Sequence, residues 1–96
     1  MDGKKRSYLR GIGQSLKPTI NLGKQGLSKS ISKEIKTQLI DHELIKIRIL
    51  NTCPLSKKEC AVILSKDKEI EVVQIIGKTL LLFCQQKDGT KKDAKF

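Results

Sequence analysis

The apolar residues of this chain recur first at helical spacing and then at strand spacing, in alternating blocks. Leu9, Ile12 and Leu16 stand at i, i+3 and i+7 with Tyr8 beside them, which predicts an amphipathic helix over residues 4 to 16. Gly11 and Gly13 each weaken it by about 1 kcal/mol relative to Ala, so an end near Gly13 is expected. Pro18 stops any continuation and holds Lys17 extended. Thr19 to Leu22 then reads as a short strand running into a glycine loop. From Ser28 to about Asp41, Ile31, Ile35 and Leu39 form one stripe of a helix capped by Ser28. Lys29, Lys33 and Lys36 form a second stripe, about 120° to 160° around the wheel. Ile40 falls on the basic side and is expected to pack under the following turn.

The period then changes to two. Ile45, Ile47 and Ile49 alternate with Lys46 and Arg48, the pattern of a half-buried strand over Leu44 to Leu50. After a loop, Ser56 and Glu59 stand in capping-box relation and open a helix through about Ser65 that should bury Cys60, Ile63 and Leu64. Glu69 to Ile76 is a strand, and Gly77-Lys78 suits a two-residue type II′ hairpin into a strand over Thr79 to Cys84. Leu80 to Phe83 is continuously apolar, as expected of a strand central in its sheet or covered on both faces. The order helix, strand, helix, strand, helix, strand, strand predicts a two-layer α/β sandwich of the α+β class with a mixed four-stranded sheet. Residues 1 to 84 form the domain, and the polar, lysine-rich residues 85 to 96 are expected to be a flexible basic tail.

Charge narrows what such a domain can do. Twenty Lys and Arg against ten Asp and Glu leave a net charge of +10 on 96 residues, which calls for a polyanionic partner. The excess is uneven: residues 1 to 40 carry nine basic and two acidic residues, while residues 41 to 77 carry six of each. Cys53, Cys60 and Cys84 lack zinc-knuckle or redox spacing and read as reduced core thiols of a cytoplasmic protein. His42 has no ligand set or nucleophile in sequence range and reads as a structural or capping residue. No secretory signal is recognisable, and the run Leu80 to Cys84 is too short to span a bilayer, so no membrane role is expected. Nothing calls for a cofactor or a metal, and clustered carboxylates and activated nucleophiles are missing, so an enzyme is not expected.

The loop Gly23-Lys24-Gln25-Gly26 lies in the electropositive part of the chain. Glycines let a foreign backbone approach closely, and Ser28 opens a helix whose first amides point outward and favour an anion. Alone, G-x-x-G is equally compatible with an ordinary turn. Gly77-Lys78-Thr79 is not a nucleotide-binding loop, because that motif needs a glycine where Val72 stands and a helix where an apolar strand follows.

Separated blocks of the sequence carry a family resemblance. Leu16-Lys17-Pro18 with Leu22-Gly23-x-x-Gly26-Leu27-Ser28, then His42-Glu43-Leu44-Ile45-Lys46-Ile47, then Val73-Gln74-Ile75-Ile76-Gly77-Lys78-Thr79-Leu80, resemble the CRM domain, whose stand-alone bacterial members are the YhbY proteins. The resemblance covers residues 4 to 84. It implies a fold similar to the C-terminal domain of translation initiation factor 3, with the last strand inside the sheet. It also implies RNA binding, in bacteria to precursors of the large ribosomal subunit, and in plant organelles a role in group II intron splicing. Carried onto this chain, the contact surface is Gly23, Lys24, Gln25 and Gly26, the basic first helix with Lys5, Arg6 and Arg10, and Lys29 and Lys33 beyond the cap. The charge pattern and the helix cap add Lys17, Lys36 and Ser28 to the expected RNA-binding set. Gly13-Gln14 replaces a common Ala-His pair, and Cys84-Gln85 replaces an aromatic followed by Arg-Pro.

Aromatic residues make up 3% of the chain, namely Tyr8, Phe83 and Phe96, and the first two are expected in the core. Recognition by stacking bases on exposed rings is therefore not expected. The sequence predicts a monomeric, cytoplasmic binder of structured RNA, with ribosomal RNA of large-subunit precursors as its partner, that grips phosphates with the amides of Gly26 to Lys29 and the lysines around them. The alternative is a protein-interaction module that docks on a ribosome-associated factor.

Overall fold

The computed structural model describes residues 3–84. In chain order the elements are α1 (Gly3–Gly13), β1 (Ile20–Leu22), α2 (Lys29–His42), β2 (Leu44–Ile49), α3 (Lys57–Ser65), β3 (Ile70–Ile76) and β4 (Thr79–Cys84). The domain is of the α+β class, and the tail expected from residue 85 onward lies outside the described residues. The strands form one mixed sheet in the order β1-β2-β4-β3. β1 and β2 are parallel, with Ile20 opposite Ile47, and β4 is antiparallel to both of its neighbours. The second crossover thus skips a place, and the hairpin returns β4 into the gap.

That insertion explains the unbroken apolar run. Leu80 and Leu82 point to one face and pack with Ile35 and Leu39 of α2, Cys60 and Leu64 of α3, and Ile45 and Ile47 of β2. Leu81 and Phe83 point to the other face and pack with Leu9 of α1, Leu44 and Val73. The sheet and the α2/α3 pair supply the two expected layers, and α1 lies across the opposite face. Each such apolar side chain removed from water contributes about 1.5–3 kcal/mol.

α1 ends where its glycines suggested, but steric fit supplies the reason for Gly13. A Cβ there would stand 2.5 Å from Cδ2 of Leu81, so the helix can lie this close to the sheet only because position 13 has no side chain. The Gly77-Lys78 hairpin has φ of +55° at Gly77 alone, as a type II′ turn requires. Ser28 caps α2 by accepting from the Ile31 amide at 3.2 Å, and Ser56 and Glu59 form the expected capping box.

Three burial expectations fail. Tyr8 is 51% exposed because α1 crosses the sheet on the face defined by Leu9 and leaves Tyr8 at its flank. Ile63 is 41% exposed, since Cys60 and Leu64 form the whole inward row of the short α3. Ile40, at 54% exposed, does not tuck under the next turn: Glu43, at φ 67°, caps α2 through its amide to the Leu39 carbonyl and turns the chain straight into β2.

Candidate nucleic-acid interface

β1 and β2 run parallel, and each passes directly into a helix, so α2 and α3 both begin at the same end of the sheet. The β3–β4 hairpin closes at that end too: the Ile49 amide donates to the Lys78 carbonyl at 2.7 Å, and Lys57 Nζ donates to the Gly77 carbonyl at 3.0 Å. Three loops and two helix N-termini therefore share one edge of the molecule.

The GKQG loop is a tight turn. The Gly26 amide donates to the Gly23 carbonyl at 2.9 Å and leaves Lys24 and Gln25 exposed at the tip. Gly26 takes φ of +56°, where a side chain would be strained, and packs beside Pro54 and Leu55. Its amide is consequently spent inside the turn and cannot serve a phosphate as the sequence suggested. No hydrogen bond among the described residues takes the amides of Lys29 and Ser30, in the first turn of α2. These amides, the N-terminal end of the α2 dipole and the Lys24 and Lys29 ammonium groups all favour an anion at the loop.

Of the cations predicted for this surface, only some gather here. Gly23, Lys24, Gln25, Gly26, Ser28 and Lys29 form the loop and cap, and Lys33 is exposed one turn along α2. Lys36 lies a further turn away and pairs with Asp67 at 2.9 Å. The hydrogen bond with Asp67 raises the Lys36 pKa, and the same bond holds the Asp67 carboxyl below its usual range. On α1, across the sheet, the Arg6 guanidinium donates to the Val73 carbonyl at 3.0 Å and pairs with Glu71 at 3.4 Å. Lys5 sits 4.9 Å from the centre of the Phe83 ring, and Arg10 donates to Ser7 Oγ. Lys17 follows α1 at the opposite end of β1.

In their place the fold brings Lys57, Lys58 and Lys78 to the loop end; sequence reasoning did not count Lys57 and Lys58 among the contacts and read Lys78 only as a hairpin residue. All three are exposed, and like Lys24 and Lys29 they have no carboxylate partner among the described residues. The Ser56 capping box marked the start of α3, and two parallel crossovers place both helix starts at one end; together these were a usable signal. The charge balance of residues 41 to 77 hid Lys57 and Lys58, because it also counts Asp67, Glu69 and Glu71, which lie past the far end of α3.

A cleft of about 410 Å³ lies away from this edge, between α1 and the start of β2, and is lined by Tyr8, Ile12, Leu16 and Leu44 among others. Its lining is mainly apolar but includes Lys17, Lys46, His42 and Glu43, and it lies at the other end of the sheet from the two helix starts. Among the described residues no group of three or more His, Cys, Asp and Glu could hold a metal, and no helix is long and apolar enough to cross a membrane.

Comparison with known proteins agrees with this architecture. The family model described as the CRS1 / YhbY (CRM) domain matches residues 1–83. The chain belongs to the CRM domain family. A Bacillus subtilis relative, named probable RNA-binding protein YqeI, is 33% identical over 89 residues, covering 93% of each chain. A Haemophilus influenzae relative named RNA-binding protein is 30% identical over 80 residues, covering 83% of this chain and 81% of its own. The solution structure of a hypothetical Staphylococcus aureus protein superposes with a TM-score of 0.75 at 32% identity and 95% coverage of both chains.

Proposed function

We propose that this protein binds structured RNA through the edge formed by the GKQG loop, the starts of α2 and α3 and the β3–β4 hairpin. The observation that carries the reading is the convergence of Lys24, Lys29, Lys57, Lys58 and Lys78, none with a carboxylate partner among the described residues, around amides at a helix start. The names of the CRM relatives support RNA as the polyanion. The RNA we propose is ribosomal RNA in large-subunit precursors, which family membership supports, bound by a cytoplasmic monomer. Recovery and sequencing of RNA crosslinked in cells tests this. Wild type should return large-subunit RNA and a Lys24→Glu, Lys29→Glu variant should not; equal recovery from both would remove the loop from the mechanism.

One observation favours a second reading, docking of a protein factor. β1 begins only opposite Ile47, so on the side away from β4 Leu44 to Lys46 meet no strand, only the Thr19 amide on the Lys46 carbonyl. The apolar cleft opens at this half-vacant edge. Protein crosslinks confined to Tyr8 or Lys17 would support that role beside RNA binding.

A further inference from the structure

A second cleft, of about 270 Å³, lies at the loop edge and is lined by Ile49, Leu50, Asn51, Lys57, Gly77 and Lys78. Its volume is just below the ~300–1,000 Å³ usual for small-ligand sites. Leu50 joins it to the GKQG loop: a Cβ on Gly23 would stand 3.8 Å from Leu50 Cδ1, and the Leu50 amide donates to the Leu22 carbonyl at 2.9 Å. The Leu50 side chain is 37% exposed, an apolar surface among cations.

The two lysines of this cleft are each held by a neutral acceptor. Lys57 donates to the Gly77 carbonyl at 3.0 Å, and Lys78 donates to Asn51 Oδ1. Both acceptors are neutral, so each ammonium is positioned without losing its charge, and each keeps two further N–H donors. An ammonium bound to a carboxylate, as Lys36 is to Asp67, presents much less field to an incoming anion. A Cβ on Gly77 would meet nothing within 4 Å, so there is open space on that side of the residue. The cleft therefore offers an apolar floor beside two fixed positive charges.

We infer that this cleft takes one unpaired nucleotide of the bound RNA, its base or ribose against Leu50 and its phosphate between Lys57 and Lys78. This rests on the RNA reading above and adds to it a preference for RNA with a bulge or loop at the contact. A base still paired within a duplex is stacked between its neighbours and cannot lie on Leu50.

Fluorescence anisotropy with two RNA hairpins that differ only by one bulged nucleotide tests it. Wild type should bind the bulged hairpin about tenfold more tightly than the paired one, the effect of covering the exposed Leu50 side chain. In Leu50→Ser, and independently in Lys57→Gln with Lys78→Gln, the ratio of the two affinities should fall to about one. Melting curves establish that each variant is folded, and the exposed lysine pair gives a readout even if Leu50→Ser is destabilised. Equal binding of both hairpins by wild type, abolished by Lys24→Glu, would overturn the cleft and leave the RNA reading in place. A bulge preference that survives in both variants would also overturn it. Binding of neither hairpin would overturn both.

Discussion

Arg6 of α1 donates to the Val73 carbonyl at 3.0 Å, across a sequence separation of 67 residues. Val73 lies at the register irregularity between Val72 and Gln74, where β3 departs from regular pairing with β4. The guanidinium also reaches the Val72 carbonyl at 3.4 Å and Glu71, so a cation expected at an RNA surface pins α1 to the sheet at its bulge.

Arg6→Ala should therefore destabilise the domain by about 1–2 kcal/mol through lost charge-assisted hydrogen bonds. RNA affinity should change by less than about twofold. Chemical denaturation paired with an RNA titration separates the two effects, and a large affinity loss without a stability loss would reverse the assignment.

Lys24→Glu with Lys29→Glu should do the opposite. Stability should stay within about 0.5 kcal/mol, since both side chains are exposed. The dependence of log affinity on log salt should become shallower by about 1.5, the counterion release of two phosphate contacts. Anisotropy titrations at several salt concentrations measure that slope.

Gly13→Val should destabilise the fold by about 1–3 kcal/mol, because its side chain would enter the space of Leu81. Gly11→Ala, with nothing within 4 Å, should instead stabilise α1 by roughly 0.5–1 kcal/mol. Thermal melts of the two variants should shift in opposite directions.

Cys60 is buried, and desolvation first, with Cys53 beside it second, pushes its thiol up to about 11. Alkylation near pH 8 should modify the half-buried Cys53 well before Cys60. Because the folded pKa lies above the ordinary 9.0, this group's contribution to stability is whole below pH 9.0 and is lost as pH rises toward about 11. Mass spectrometry of timed alkylation and melts across that range check both statements.

At the acidic end, the Lys36 bond that lowers the Asp67 pKa contributes stability present above the ordinary carboxylate range and lost as pH falls through the folded value. Lys36→Met should move the Asp67 titration upward by NMR, while RNA affinity changes less than in Lys33→Glu.

Much of this was legible in the residues. The stripe Ile31, Ile35 and Leu39, the alternation Ile45, Ile47 and Ile49, the two serine caps and the Gly77 turn place the elements to within a residue or two. The GKQG turn and its helix start were also legible, because loop and cap are local. Tyr8 and Ile63 were misplaced because a helical wheel gives the direction of a stripe but not the width of the face that a sheet covers.

Local periodicity alone settled where helices and strands begin, since backbone hydrogen bonding and capping act within a few residues. Which cations remain available depended on the strand order β1-β2-β4-β3 and on α1 lying across the face opposite α2 and α3. Whether a lysine meets a carboxylate, a carbonyl or nothing depends on distance in space. Arg6 and Lys36 are committed by groups on β3 and at the α3–β3 turn, and Lys57 and Lys78 are held open by a carbonyl and an amide of neighbouring loops. Net charge came from composition; the place where that charge can meet a polyanion came from the packing.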